Sequence, residues 1–223
     1  MSMQAVIDQA LADLGYIEDP PGSNRVKYWE DYDPKMQGQP WCVSCQWDWF
    51  NRAGERMAFF GGGKTASCTK LLRWYREQGL TVPAKEVQTG DIVMLNFSNG
   101  ISPDHCGLVV GREGNAVKTI EGNTTPGEEG TPQEQANGGC VALKTRFPYQ
   151  IVGVCRPQYK EEEKPVDDIT GRWSEADVRW CIENGLMEGY PDGSWKPRQD
   201  VTREELAAVL HRFDRKIMED GGK

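Results

Sequence analysis

Hydrophobic positions in the first third of the chain recur with the period of a helix. Val6, Ala10 and Leu14 share one face of residues 3–14, with Ser2 placed to cap that helix and Gly15 to end it. Residues 18–40 are rich in Pro, Gly, Asp and Asn and read as a long loop. Val43, Trp47 and Phe50 then mark a helix from Cys42 to Ala53, stopped by Gly54. Leu71, Leu72, Trp74 and Tyr75 mark another over 66–78. The pattern next shortens to strands. Residues 91–97, 106–111, 116–121, 141–144 and 151–156 are β-rich runs separated by Gly, Asn and Pro clusters. Helices first and strands second predict an α+β domain with an antiparallel sheet.

A charged segment without apolar content, Gln158 to Pro165, breaks this pattern. It divides the chain into a domain at 1–158, a linker at 159–166 and a small all-α module at 167–223. The module reads helix–turn–helix. Ser174 with Asp177, and Thr202 with Glu205, have capping-box spacing, and Pro191-Asp192-Gly193 supplies a turn.

Composition narrows the function. The net charge is −8 with no Lys/Arg cluster, which disfavours nucleic acid as a partner. No window holds the ~18 consecutive apolar residues of a membrane span. Met1 to Asp8 lacks a basic region followed by an apolar one, so no Sec signal is expected, and synthesis is assigned to the cytoplasm with export by another route. Seven cysteines without regular spacing argue against a disulfide framework. Cys42-Val-Ser-Cys45 lacks a thioredoxin-like surround, and without a second CxxC no structural zinc site is assigned.

The candidate chemistry is an ordered set. Cys42 stands where the second helix begins, and a helix N-terminus and a nearby imidazolium both lower a thiol pKa. Its backbone N–H is also placed to bind an oxyanion. His105 opens the run His-Cys-Gly-Leu-Val-Val. Glu121 and Asn123 are two apart on the following strand, so their side chains share a face that an antiparallel neighbour brings beside His105. Nucleophile, base and orienting group are thus all present. Each residue alone also has a plain reading. Cys42 is then a small buried hydrophobe, His105 a strand-edge histidine, Glu121 a solvated strand residue and Asn123 the start of a turn. Cys45 is a rival thiol one turn deeper.

Taken in order, Asn24-x-x-Lys27-Tyr28-Trp29, Pro40-Trp41-Cys42, Gly90-Asp91-Ile92-Val93, His105-Cys106-Gly107-Leu108-Val109-Val110 and Ile120-Glu121-Gly122-Asn123-Thr124 resemble the CHAP family of cysteine peptidoglycan amidases and endopeptidases, phage endolysins among them. The resemblance spans residues 1–158. It implies a papain-like α+β fold, Cys42 as nucleophile, His105 as base, and Glu121 with Asn123 orienting the imidazole. It also implies peptidoglycan as partner and no cofactor, and Trp41 is assigned to the wall-binding surface. Cys106 and Ser44-Cys45 depart from the family pattern. Some phage members bind calcium through an Asp-x-Asp loop, which Glu30-Asp31-Tyr32-Asp33 does not match, so no metal is assigned.

The C-terminal module resembles one S-layer homology repeat. The residues that carry this are Asp168-Ile-Thr-Gly-Arg-Trp173, Gly189-Tyr-Pro-Asp-Gly-Ser-Trp195-Lys-Pro197 and Val201-Thr-Arg-Glu-Glu205. The resemblance implies anchoring to a secondary polymer of Gram-positive walls, with Arg203 facing the anionic polymer. Trp173, Trp180 and Trp195 are assigned to the module's core. The family uses three repeats and this chain has one, which implies a homo-oligomer, a trimer being the expected form.

Overall fold

The computed structural model describes residues 2–98, 100–160, 167–190 and 193–220, with side chains up to residue 218. Residues 161–166 of the expected linker, and Pro191 and Asp192 of the expected turn, lie outside the described residues. The chain divides into two units, residues 1–161 and 162–223. Among the described residues, no helix is long and apolar enough to cross a membrane.

The first unit combines helices with a five-stranded antiparallel sheet. Its helices are α1 (Met3–Ala12), α2 (Tyr28–Tyr32), α3 (Cys42–Arg52), α4 (Arg56–Phe60), α5 (Cys68–Glu77) and α6 (Pro132–Ala136). Its strands are β1 (Ile92–Leu95), β2 (His105–Glu113), β3 (Ala116–Thr124), β4 (Cys140–Arg146) and β5 (Ile151–Cys155), in the order β4-β3-β2-β1-β5. Alternation along the strands divides the apolar side chains between two faces. Ile92, Met94, Cys106, Leu108 and Ile120 join the large core formed with α1, α3 and α5. Val93, Leu95, Val109, Val117 and Val154 form a smaller cluster on the other face.

Ser2 caps α1 by accepting from the Ala5 N–H, but α1 ends at Ala12, before Leu14, which is exposed. The stretch at 18–40 is not wholly loop. It contains α2, whose Tyr28 and Trp29 are fully buried, and tertiary burial holds this single turn that propensity alone would not predict. The two short helices α4 and α6 are likewise absent from the periodicity, since five residues carry too little of it. Five antiparallel strands occur, longer at several ends than their apolar runs.

The second unit has α7 (Glu175–Glu183) and α8 (Arg203–Asp220). The capping box forms at Thr202, whose N–H and hydroxyl pair with Glu205, but Ser174 makes no side-chain cap bond. Asp168 instead organises this unit by accepting the N–H groups of Trp195 and Lys196 at 2.8 and 2.7 Å. Among the described residues, Ile169 and Leu186 are its buried apolar side chains. Trp173 is 94% exposed and Trp180 is 49% exposed, which corrects their assignment to the core.

Candidate active site

Trp41 sets the start of α3. Its ring stacks on Tyr28 at 5.3 Å, and its Nε1–H donates to Glu18 at 3.3 Å, while Glu18 also accepts the Asn24 N–H. Trp41 is fully buried, so it is not a wall-binding surface; it wedges the N-terminus of the helix in place. Lys27, Tyr28, Trp49 and Arg52 converge on the buried carboxylate of Asp13 and tie α1, α2 and α3 together. β3 presses against this helix end. A Cβ at Gly122 would lie 2.3 Å from Cys45 Sγ and 2.7 Å from the Trp41 ring, so only glycine permits that approach.

Cys42 is the first residue of α3 and is 4% exposed. His105 and Cys106 are the first two residues of β2; the Cys106 sulfur lies within 4.8 Å of that of Cys42, and His105 is near enough to bias the charge of Cys42 although its Nδ1 makes no hydrogen bond. Cys68, the first residue of α5, comes from another direction, with its Sγ 3.7 Å from Cys42 Sγ. The Sγ atoms of Cys42, Cys68 and Cys106 all lie within 4.8 Å of one another.

On the far side of the imidazole, His105 Nε2 lies 3.1 Å from Glu121 Oε2. This contact depends on Gly107. His105 and Gly107 are two apart and share a face of β2, and the Glu121 side chain lies across position 107. A Cβ there would sit 2.8 Å from Glu121 Cγ. Arg146 grips the same carboxylate with a fork, Nε to Oε1 at 2.8 Å and a terminal nitrogen to Oε2 at 2.5 Å. The Thr119 hydroxyl donates to Oε1 at 2.6 Å. The Phe97 ring covers both partners, 5.8 Å from the imidazole and 4.7 Å from the guanidinium.

These contacts polarise the set. The thiols of Cys106 and Cys68 stabilise a thiolate at Cys42, and His105 adds to this, outweighing burial and holding Cys42 well below the usual thiol range. Donating to Cys42 pushes Cys106 well up. Cys106 pulls Cys68 down, but Cys42 and burial outweigh it and leave Cys68 raised. Burial by itself disfavours an imidazolium at His105. Cys42 and Glu121 overcome it and raise His105 to about 9. Burial likewise opposes the Glu121 anion, yet Arg146 and His105 lower it to about 2. These shifts all favour a thiolate at Cys42 and an imidazolium at His105, with the carboxylate fixed beside the ring.

The expected residues divide clearly. Cys42, His105 and Glu121 come together. Cys45 does not join them; its thiol donates to the Cys42 carbonyl at 3.0 Å, and burial pushes its pKa well up. Asn123 does not orient His105. The pairing of β3 with β4 slips between Glu121 and Thr124, and Asn123 takes a left-handed φ of 63°. This bulge breaks the two-residue alternation. Its Nδ2 donates to Asn137 at 2.8 Å, and its buried Oδ1 has no hydrogen-bond partner. Sequence reasoning missed Arg146, Thr119 and Cys68. A lone arginine just past an apolar run was the available signal for Arg146. Around the acidic turn, Lys64 donates to the carbonyls of Asp31 and Tyr32, and Asp33 caps the turn at Pro34–Met36.

In the second unit, Arg203 is exposed in the first turn of α8. A groove of about 450 Å³ is lined by Tyr190, Trp195, Lys196, Glu205 and Arg212 among others; Arg203 is not among the described residues that line it.

The first unit is thus a mixed helix and antiparallel-sheet fold holding a buried cysteine–histidine–glutamate alignment. The second is of a different class: residues 166–207 match the S-layer homology domain family. Two curated proteins of Acetivibrio thermocellus resemble parts of the chain. Cell surface glycoprotein 1 is 30% identical over 69 residues, covering 30% of this chain and 3% of its own length. The Cellulosome-anchoring protein is 36% identical over 45 residues, 20% of this chain and 10% of its own. The chain therefore spans only a small part of either relative. Among solved structures, the crystal structure of Ly7917 has a TM-score of 0.42 at 16% identity, over 70% of this chain and 62% of that one. The structure of Ly7917 with the hydrolyzing product of MDP has a TM-score of 0.42 at 15% identity, over 70% and 63%.

Proposed function

We propose that the chain is a cysteine-dependent peptidoglycan hydrolase, of phage or bacterial use, that is held at the wall by its C-terminal repeat. The observation that carries the catalytic half is the buried alignment of Cys42, His105 and Glu121, and the motif resemblance to CHAP enzymes supports it. Cys42 gives its proton to His105, and the thiolate attacks the carbonyl carbon of a wall peptide amide. The developing oxyanion meets the free N–H groups of the first turn of α3. His105 then protonates the departing amine, the C–N bond breaks, and an acyl-thioester remains. Water, giving a proton to His105, attacks that thioester and releases the acid product and the Cys42 thiolate. Glu121, held by Arg146, orients the imidazole and stabilises its charged form. The bond cut is that of an N-acetylmuramoyl-L-alanine amidase or of a peptide endopeptidase.

The S-layer homology match carries the anchoring half. The names of the curated relatives, a cell surface glycoprotein and a cellulosome-anchoring protein, support an attachment role. The ligand is an anionic secondary wall polymer, met by Arg203 and by the cations of the nearby groove. Leu206, Leu210, Phe213 and Ile217 form an apolar stripe on α8, each about half exposed. We assign that stripe to contact between copies of the chain. A zymogram on purified walls, with mass spectrometry of the released fragments, tests the function. Clearing by the wild-type chain with new amine and carboxyl ends in the peptide supports it. Wall binding without clearing favours a non-catalytic attachment protein, and clearing of other amides alone favours a thiol amidase with another substrate.

A further inference from the structure

Three thiols meet where the proposed chemistry needs one. Cys42, Cys68 and Cys106 come from α3, α5 and β2, three elements distant in sequence, and their sulfurs lie within 4.8 Å of one another. The Cys42–Cys68 separation is 3.7 Å. A tetrahedral zinc ion with ~2.3 Å bonds to sulfur sets its ligand sulfurs about 3.8 Å apart. The pair is therefore already at the edge length of such a site, and Cys106 needs a shift of an ångström or less. Soft thiolates select zinc and similar ions over calcium or magnesium. Beside this cluster, Nδ1 of fully buried His105 has no hydrogen-bond partner, while its Nε2 is held by Glu121. Once it gives up its proton, that ring nitrogen is available as a fourth ligand.

We propose that Cys42, Cys68 and Cys106 form a three-thiolate site for a soft divalent cation of the zinc class, and that its occupancy silences the nucleophile. Binding releases the remaining thiol protons to solvent, together with the Nδ1 proton of His105 where that nitrogen is the fourth ligand, and forms three metal–sulfur bonds with no change of oxidation state. The Cys42 lone pair used for attack on an amide then belongs to the metal. The fourth position falls to His105 or to water. The site itself stands on the sulfur geometry; its inhibitory consequence rests on the hydrolase reading.

Cobalt(II) tests the site without any need for lysis. The full chain, reduced and freed of metal, is titrated with Co²⁺ and then with Zn²⁺. One equivalent of Co²⁺ should give a thiolate-to-cobalt charge-transfer band with the intense visible bands of a tetrahedral ion, and Zn²⁺ should abolish both. Cys68→Ser and Cys106→Ser should each weaken Zn²⁺ binding at least tenfold, while Cys181→Ser, in the other unit, should not change it. Circular dichroism checks that each variant is folded, and Cys42→Ala provides a third ligand deletion if one of the others is not. Absence of the charge-transfer band in the wild type overturns the proposal. So does Zn²⁺ affinity unchanged in folded Cys68→Ser or Cys106→Ser. Walls cleared by the metal-free enzyme, with clearing blocked by Zn²⁺ and restored by a chelator, support the inhibitory role. A chain that binds Zn²⁺ but clears no walls in any metal state retains the site and overturns the inhibitory role with the hydrolase reading.

Discussion

Nε2 of His105 and Oε2 of Glu121 lie 3.1 Å apart with neither side chain exposed to solvent. A buried carboxylate is costly unless it is paired, and Glu121 is paired on every side. Arg146 takes both oxygens, Thr119 donates to one and His105 meets the other. The carboxylate cannot turn away from the imidazole without breaking the Arg146 fork. The orientation of His105 is thus built from the sheet, because residues on β2, β3 and β4 hold one another.

If Cys42 is the nucleophile, Cys42→Ala and Cys42→Ser should lose wall lysis by several orders of magnitude while keeping the fold. Cys45→Ala removes only a buried thiol bonded to a backbone carbonyl, so it should lyse walls at a rate near wild type. Its cost should be packing alone, about 1–2 kcal/mol by urea titration. Lysis by a folded Cys42→Ala protein would reject the assignment.

The polarised pair predicts a pH profile. The thiolate–imidazolium state forms as pH rises above the lowered Cys42 value and is lost as pH rises through about 9, where His105 loses its proton. Lysis should therefore fall on the alkaline side near that value. Glu121→Gln removes the charge that helps hold His105 up, so the alkaline limb should move to lower pH. The rate should drop roughly 10²–10⁴-fold, the span of general acid–base catalysis. An unmoved limb in Glu121→Gln would show that Glu121 does not tune the imidazole.

The grouping of Cys42, His105 and Glu121 was legible because residue type and order are what single them out. Arg146 was not, because its role depends on β4 lying beside β3, a long-range pairing that no local pattern specifies. Asn123 was misread for a physical reason. Strict alternation placed it with Glu121, and the bulge after Glu121 turned it toward Asn137 instead. Trp41 was misread because an aromatic beside a nucleophile suits a substrate surface, whereas burial against Tyr28 makes it a wedge. The long helices were legible from period; the five-residue helices were held by burial and caps that the pattern does not carry.

Arg146→Met should be costly to the fold. It leaves Glu121 buried without its main countercharge, a change worth about 3–5 kcal/mol when one partner of a buried pair is removed. Arg146→Lys keeps the charge but loses the fork, so it should fall between. The wild-type pair also sets acid stability. Glu121 is lowered from its ordinary value of 4.5 to about 2, so its contribution is present above the ordinary value and lost as pH falls toward the lower one. Thermal melts between pH 3 and pH 7 should show a steeper loss for wild type than for Glu121→Gln. Parallel curves would remove Glu121 from the account of acid stability.

Asn123→Ala should behave as a structural change. Its amide bridges to Asn137, and its left-handed backbone suits Asn better than Ala, so stability should fall by about 1–2 kcal/mol. The alkaline limb of the pH profile should stay where it is in wild type, since no bond to His105 is lost. A shifted limb with unchanged stability would return Asn123 to the orienting role.

The second unit predicts association. Leu206, Leu210, Phe213 and Ile217 recur at helical spacing on α8 and remain about half exposed, and Trp173 adds further uncovered surface. One repeat of this size buries few apolar residues of its own, Ile169 and Leu186 among them. If other copies cover the stripe, three chains would build the three-repeat arrangement that the family resemblance implies. Light scattering on the full chain should therefore give a multiple of the monomer mass, with a trimer as the expected value, and a chain ending at Gln158 should be monomeric. Leu210→Glu with Phe213→Glu should dissociate the assembly and weaken retention on walls, because several linked sites bind far more tightly than one. Arg203→Ala should weaken wall retention while leaving the mass unchanged, since Arg203 is exposed and its assigned task is the polymer. A monomeric full chain that still binds walls would reject the assembly, and unchanged retention of Arg203→Ala would reject that residue's part in binding.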